Sequence, residues 1–205
     1  MAANQPSIAL LVIGKSDEEI QWFKDQSPHV EREARMVYIA NPKMRFGGMA
    51  AIANPFFDAA TEDVVGVVHA DTIFALGALQ IFASTAVDHN CVSGIVGRCA
   101  PDPNERFSGY VWCHVGGGPV STLDSCSIFF QRSQNLRFDG ETFDSFHCVV
   151  EDICLQAQLR GISAKVPAAQ AGHASAASNP QWAAQFWEYR AKLTAKYPGV
   201  VFHTV

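Results

Sequence analysis

Apolar residues fall in short unbroken runs along this chain, each followed by a polar turn and then a segment of helical periodicity. "SIALLVIG" (7–14) is continuous rather than alternating, as expected of a strand buried on both faces. "SDEEIQWFKDQS" follows, with Ser16 and Glu19 at capping-box spacing, and predicts a helix start. "REARMVYIA" (32–40) predicts a second strand closed by the Asn41-Pro42 turn. "GGMAAIANPFFDAA" (47–60) predicts a helix that Pro55 bends or interrupts. "DVVGVVHA" (63–70), "FALGALQIFASTAV" (74–87) and "CVSGIVGRC" (91–99) continue as strand, helix and strand. This β-α-β-α-β-α-β alternation predicts a parallel sheet with helices on both faces.

The second half changes texture. "PDPNERFSGYVWCHVGGGPV" (101–120), with three consecutive glycines, reads as a long loop or β-excursion of the kind that covers a site. "STLDSCSIFFQR" (121–132) predicts a strand, "VVEDICLQAQLRG" (149–161) a helix closed by Gly161, and "SAKVPA" (163–168) a short strand. After the small, polar stretch 169–179, Asn179 caps and Pro180 opens a last helix. Its stripe of Trp182, Phe186, Tyr189 and Leu193 reads as packing. There is no internal repeat and no second composition regime, so residues 1–205 are expected to form a single domain.

Composition narrows the function classes. With 205 residues, 48% of them apolar, the chain can bury one sizeable core. A formal net charge of -5 without a basic run argues against an extended nucleic-acid or anionic-membrane surface. The apolar run 8–13 is too short to span a bilayer and no secretory signal precedes it, so a cytoplasmic protein is expected. The six cysteines (91, 99, 113, 126, 148, 154) form no CxxC and read as reduced, largely buried thiols.

The candidate chemistry begins in "VVGVVHADTIF" (64–74), where an apolar run turns abruptly polar. If the strand persists to its end, His69 and Asp71 share one face at its C-terminal edge, where open α/β sheets bind ligands. No GxGxxG follows the first strand. "VIGKSDEE" has one glycine and an acidic helix start, a poor seat for a pyrophosphate, and "GGM" (47–49) lacks the Lys and Ser/Thr of a P-loop. A diphosphate ligand would then need another counter-charge, which Mg²⁺ or Mn²⁺ held by Asp71 would supply. His69 reads as a ligand, a supporting group or a phosphate contact.

Two longer segments carry a resemblance. "LRFDGETFDSFHCVVEDICLQAQLRGISAKVPAAQAGH" resembles the C-terminal part of GT-A-fold glycosyltransferases, closest to the family-2-like group, in which "FDE.F", "YH.YDxDlClra...G" and a later His occur in this order. "MRFGGMAAIANPFFDAATEDVVGVVHADTIF" resembles the matching N-terminal part, with a helix Asn, a strand and an Asp-x-Asp-type motif. The likeness spans about residues 7–198 and implies a GT-A-like α/β fold, a mostly parallel central sheet flanked by helices. It further implies a nucleotide-binding half (1–100) and an acceptor/metal half (101–205).

The resemblance implies a metal-dependent transferase moving a sugar from a nucleotide-diphosphate sugar to a glycan or other hydroxyl acceptor, by inversion. It puts Asp71 at the metal-binding Asp, His69 at the first Asp of that motif, and His173 at the late His that completes the metal shell. Gly14, Asn41, Asn54, His69, Ala70 and Asp71 are then the donor side and Asp124 an acceptor-side position. Counting back from Gly161, Asp152 matches the second Asp of the helix motif, Val150 takes the first Asp's place, and Gln156 replaces a common Arg. Asp152 is thus expected to be the general base, with Glu151 turned to structural partners; a slightly displaced helix start would bring Glu151 to the site instead. Glycosyl transfer needs a metal-bound carboxylate for the leaving diphosphate and a separate carboxylate for the acceptor proton. Two rivals stay open: a non-catalytic nucleotide-sugar-binding module, because Val150 and His69 depart from the acidic pattern, and a metal hydrolase on His69, Asp71 and His173.

Overall fold

The protein, here a computed structural model, is described over residues 5–98, 118–174 and 180–200. Strand β1 (Ile8–Gly14) is buried at all seven positions. The Ser16 side chain caps α1 (Asp17–Gln26) by accepting the Glu19 N–H at 3.3 Å, as the capping-box spacing predicts. One helical turn, α2 (Val30–Glu33), shortens the expected second strand to β2 (Arg35–Ala40). A 3-10 turn over Pro42–Met44 leads to α3 (Met49–Ala59), which continues through Pro55. Ala51 and Pro55 both lie on the exposed side of this helix, so the carbonyl that Pro55 cannot serve faces water.

Strands β3 (Val64–His69) and β4 (Thr72–Phe74) flank a turn at Ala70-Asp71, and α4 (Ala78–Asp88) follows. The expected strand 91–99 is two short pieces, β5 (Cys91–Ser93) and β6 (Gly97–Arg98), with residue 99 outside the described residues. Of the 101–120 excursion, 101–117 also lie outside them, and its end is β7 (Gly118–Val120). The expected strand 121–132 is likewise divided into β8 (Thr122–Leu123) and β9 (Ser127–Gln131). The divider is a turn in which Asp124 Oδ1 accepts the Cys126 N–H at 2.7 Å. Helix α5 (Val149–Leu159), β10 (Ser163–Val166), β11 (Ala171–His173) and α6 (Pro180–Lys196) complete the chain. The expected Asn179 cap and the Trp182 side chain lie outside the described residues.

The central sheet has the order β2-β1-β3-β9-β5-β10-β7. It is mainly parallel, as expected, with β9 and β7 running antiparallel to their neighbours. Antiparallel β9 sits between β3 and β5, and its Phe129 lies opposite Gly66 in register. A Cβ on Gly66 would come within 2.6 Å of that ring, so the glycine is what lets the ring cross the strand.

Alternate residues of β1 feed two cores. Ala9, Leu11 and Ile13 join Met49, Phe57, Phe130, Ile153 and Leu193 on one face. Ile8, Leu10 and Val12 join Phe23, Phe74, Phe82 and Phe129 on the other. The two faces each hold a close aromatic pair, Phe57 with Phe130 at 5.1 Å and Phe82 with Phe129 at 5.0 Å. Four of the cysteines, Cys91, Cys126, Cys148 and Cys154, are free and buried. No described helix is long and apolar enough to cross a membrane.

Helix α6 is fastened to α5 by packing and by charge. Tyr189, Leu193 and Tyr197 enter the first core. Beyond them the fully buried Asp152 accepts Lys196 Nζ and Tyr197 OH at 2.7 Å each through Oδ1, and Gln156 Nε2 at 2.7 Å through Oδ2. Lys196 also reaches Asp139 at 2.8 Å. Removing one member of a buried pair leaves the other charge uncompensated. Lys196→Met should therefore lower unfolding stability by on the order of 3 kcal/mol, the low end for a broken buried pair because Lys196 keeps some solvent contact. A urea midpoint unchanged from the parent would show that Asp152 does not depend on this lysine.

Candidate functional site

β3 reaches the C-terminal edge of the sheet and stops at His69, whose N–H donates to the Cys126 carbonyl at 2.9 Å. The Ala70 N–H is taken by the Ile13 carbonyl at 2.9 Å, and Thr72 Oγ1 donates back to the His69 carbonyl at 2.7 Å. The two N–H groups thus tie the strand end to its neighbours on either side, while the His69 carbonyl is turned into the bend. β11 then pairs antiparallel with β4, setting His173 opposite Thr72, and the Ala174 N–H donates to the Asp71 carbonyl at 2.7 Å. This returning strand joins residues about a hundred positions apart.

The outcome is a compact group of possible metal ligands. One ligand atom each from His69, Asp71 and His173 lies within 4.8 Å of the others. His173 Nε2 is 3.1 Å from Asp71 Oδ1, and the two imidazole rings are 6.2 Å apart. A shared strand face does not bring His69 and Asp71 together, because the strand ends at His69; the turn does.

Electrostatics favour the ligand forms of two of these groups. Burial holds His69 below the usual imidazole range, against the pull of Asp71 and with the help of His173, so it stays neutral. Its Nε2 is shut from solvent and has no hydrogen-bond partner among the described residues. Burial alone would raise Asp71, but the His173 hydrogen bond and the nearby positive charges bring it down to about 2. His173 is pushed down by burial and more strongly up by Asp71, for a net rise. An orphaned imidazole nitrogen beside an ionised carboxylate and a second imidazole fits a divalent cation.

A second group adjoins the first. Asp124, Cys126 and His173 also offer ligand atoms within 4.8 Å of one another. The sequence singles out Asp124 alone; Cys126 is hidden among the buried thiols, though "LDSC" breaks the apolar run where a turn would be needed. Lys15, also missed, stands close enough for its charge to act on His69, Asp71 and His173. The lone basic residue in "GKSDEE" was its only signal.

The acidic pair on α5 divides the other way from the sequence expectation. Asp152 turns into the Lys196–Tyr197–Gln156 knot, both oxygens taken. Glu151, 3% exposed, turns toward the Asp124 turn and accepts Ser125 Oγ at 3.2 Å. Successive helix residues point about 100° apart, so the two carboxylates face different surroundings. Burial, reinforced by the Asp124 charge, raises Glu151 to about 8.

The remaining expected donor residues stand as follows. Gly14 ends β1 against Ala70, where a Cβ would come within 3.1 Å of the Ala70 methyl. The Asn41 side chain closes its own loop, holding the Gly47 carbonyl at 3.0 Å and the Phe46 N–H at 2.8 Å. The Asn54 side chain, expected on the donor side, clamps the Phe138 backbone through its amide oxygen and nitrogen at 3.0 and 2.9 Å. The ring of His147, one residue before Cys148 at the start of α5, packs on Phe186 and Tyr189.

No protein-family model and no curated protein sequence matches the chain. Solved structures do. A mannosyltransferase, PcManGT from Pyrobaculum calidifontis in complex with GDP-Man and Mn²⁺, superposes with TM-score 0.58 at 12% identity, over 95% of this chain and 64% of that one. GalNAc-T7 with UDP, GalNAc and Mn²⁺ gives 0.54 at 9% identity, over 83% and 44%. The A197 protein from STIV gives 0.51 at 11% identity, over 82% and 85%. The likeness is one of fold: the chain has a GT-A-type fold, and it spans about two thirds or less of the first two neighbours.

The raised Glu151 makes a pH prediction. An acid whose folded pKa lies above its ordinary 4.5 contributes stability in full below that value and loses it as pH climbs toward about 8. The parent protein should lose up to about 1.4 kcal/mol per pH unit across this window from this one group. Glu151→Gln should flatten that slope in melting temperatures recorded from pH 5 to 8. Parallel curves for parent and variant would mean that Glu151 titrates as an ordinary carboxyl.

Proposed function

We propose that this domain transfers a sugar from a nucleotide-diphosphate sugar to the hydroxyl of a glycan or other acceptor, with Mn²⁺ or Mg²⁺, by inversion in a single displacement. The observation that carries the reading is the His69–Asp71–His173 group at the C-terminal edge of β3 in a GT-A-type sheet. His69, Asp71 and His173 would hold the cation, which when bound neutralises charge on the departing diphosphate. Lys15, beside the same group, adds positive charge for the phosphates. Two of the structural neighbours carry Mn²⁺ with a nucleotide or nucleotide sugar, which supports the donor class.

Glu151 is the general base in this reading. Its carboxyl is buried near Asp124 and Ser125, and a protonation point of about 8 gives it the basicity to take an acceptor proton near neutral pH. Asp152, the residue next to it, acts as a positioning residue: its knot with Lys196 and Tyr197 fixes the first turn of α5. Ser125 Oγ, donating to Glu151 Oε2, orients the carboxylate toward the Asp124 turn. Turnover should rise with pH through about 8 as Glu151 loses its proton.

A second reading, a nucleotide-sugar-binding module without turnover, draws on one observation: Glu151 is 3% exposed and would need an acceptor to reach it. A thermal-shift panel of nucleotide-diphosphate sugars, with and without Mn²⁺, followed by an acceptor panel, separates the two. Ligand that binds the native state raises its melting temperature. A Mn²⁺-dependent shift with sugar transfer supports the enzyme; the shift without transfer to any acceptor supports the module. No shift with any donor removes both.

Within the enzyme reading, Glu151→Gln should leave the donor shift intact while lowering turnover by roughly 10²–10⁴-fold. Asp71→Asn should abolish the Mn²⁺-dependent part of the donor shift and leave the fold intact by circular dichroism. Undiminished turnover in Glu151→Gln would assign the base to another group.

A further inference from the structure

The Asp124–Cys126–His173 group has a chemistry that the sugar-transfer reading leaves unused. Mg²⁺ and Mn²⁺ favour oxygen ligands, and a thiolate favours softer ions such as Zn²⁺. A buried cysteine is ordinarily only packing. Here Cys126 is fully buried and adjoins a carboxylate and an imidazole, their ligand atoms all within 4.8 Å of one another.

The backbone holds this geometry. Cys126 accepts the His69 N–H through its carbonyl at 2.9 Å and donates its own N–H to Asp124 Oδ1 at 2.7 Å. Both ends of the residue are therefore pinned, one to the strand that carries His69 and one to Asp124. Tetrahedral zinc, with Zn–S of about 2.3 Å and Zn–N or Zn–O of about 2.0–2.2 Å, sets its ligand atoms roughly 3.3–3.8 Å apart. Closing a group already within 4.8 Å to that spacing asks for side-chain movement of about 1 Å.

We propose that Asp124, Cys126 and His173 form a second ion position, selective for a thiophilic divalent ion of the zinc class. His173 belongs to this position and to the His69–Asp71–His173 position alike, so a zinc-class ion draws a ligand away from the first and displaces Mn²⁺. On binding, the Cys126 Sγ–H bond breaks, the proton leaves to solvent and the sulfur electron pair binds the ion; no electron is transferred. The proposal stands on the cluster and not on sugar transfer, so it can fail or succeed independently of that reading.

Co²⁺ added alone to the metal-free protein provides the test, because a cobalt–thiolate bond gives a sulfur-to-metal charge-transfer band in the near ultraviolet. The band should appear at one equivalent and vanish in Cys126→Ala. Competition of Zn²⁺ against Co²⁺ should show Cys126→Ala weakening zinc by at least the ~10-fold that loss of a supporting group costs a metal site. Mn²⁺ affinity, read from the paramagnetic resonance of free Mn²⁺, should change little in the variant, and Zn²⁺ should release bound Mn²⁺ from the parent. Absence of the band at saturating Co²⁺ in the parent protein overturns the proposal without recourse to any variant. So does a band that persists in Cys126→Ala, or Zn²⁺ binding that leaves Mn²⁺ in place.

Discussion

The site depends on the chain's return to its own middle. β11 pairs with β4 and the Ala174 N–H closes on the Asp71 carbonyl, which sets His173 against a carboxylate 102 positions earlier. Neither side chain is well placed without the other. Asp71 is half-buried and would rise if left to burial alone, and His173 would fall. Their contact reverses both tendencies, so the electrostatic state of the pocket is a consequence of backbone pairing between two three-residue strands. Short strands of this kind have little stability of their own and rely on the larger sheet beside them.

That larger sheet explains why the polar groups gather where they do. β9 enters antiparallel between β3 and β5, so its N-terminal end, with the Asp124–Cys126 turn, arrives beside the C-terminal end of β3. An all-parallel arrangement would have brought that turn to the opposite edge. The antiparallel insertion is therefore what adds a carboxylate and a thiol to a histidine–aspartate pair, and what gives Glu151 a polar neighbour in an otherwise apolar surrounding.

Much of the fold was legible because the buried strands are written as unbroken apolar runs. β1 and β3 and the helices after them follow from that pattern, as does the capped start of α1. Strand direction was not legible: β9 has the same apolar character as β1 and β3, which run parallel to each other, and only pairing decides which way it runs. The His69, Asp71 and His173 positions were accessible through motif order, although the turn that joins them was misread as strand. Which of Glu151 and Asp152 faces the Asp124 turn hangs on a single helical step. Nothing local distinguishes two adjacent acids, and the partner that claims Asp152 is Lys196, more than forty residues later. The Phe138 backbone clamp of Asn54 was not legible for a similar reason, since a helix Asn that serves a ligand and one that holds a neighbouring backbone segment read alike.

The knot around Asp152 also bears on how the chain is made. A ribosome delivers α5 before it delivers Lys196 and Tyr197, so for the time needed to add those last residues Asp152 has no cation to meet it. Burying an unpaired carboxylate is costly, and α5 would stay undocked on the nascent sheet until α6 emerges. The N-terminal strands have their partners early, whereas the turn of helix that bears Glu151 gains Lys196 and Tyr197 only once the C-terminal helix has been added. The knot thereby ties the order of α5 to residues made more than forty positions later.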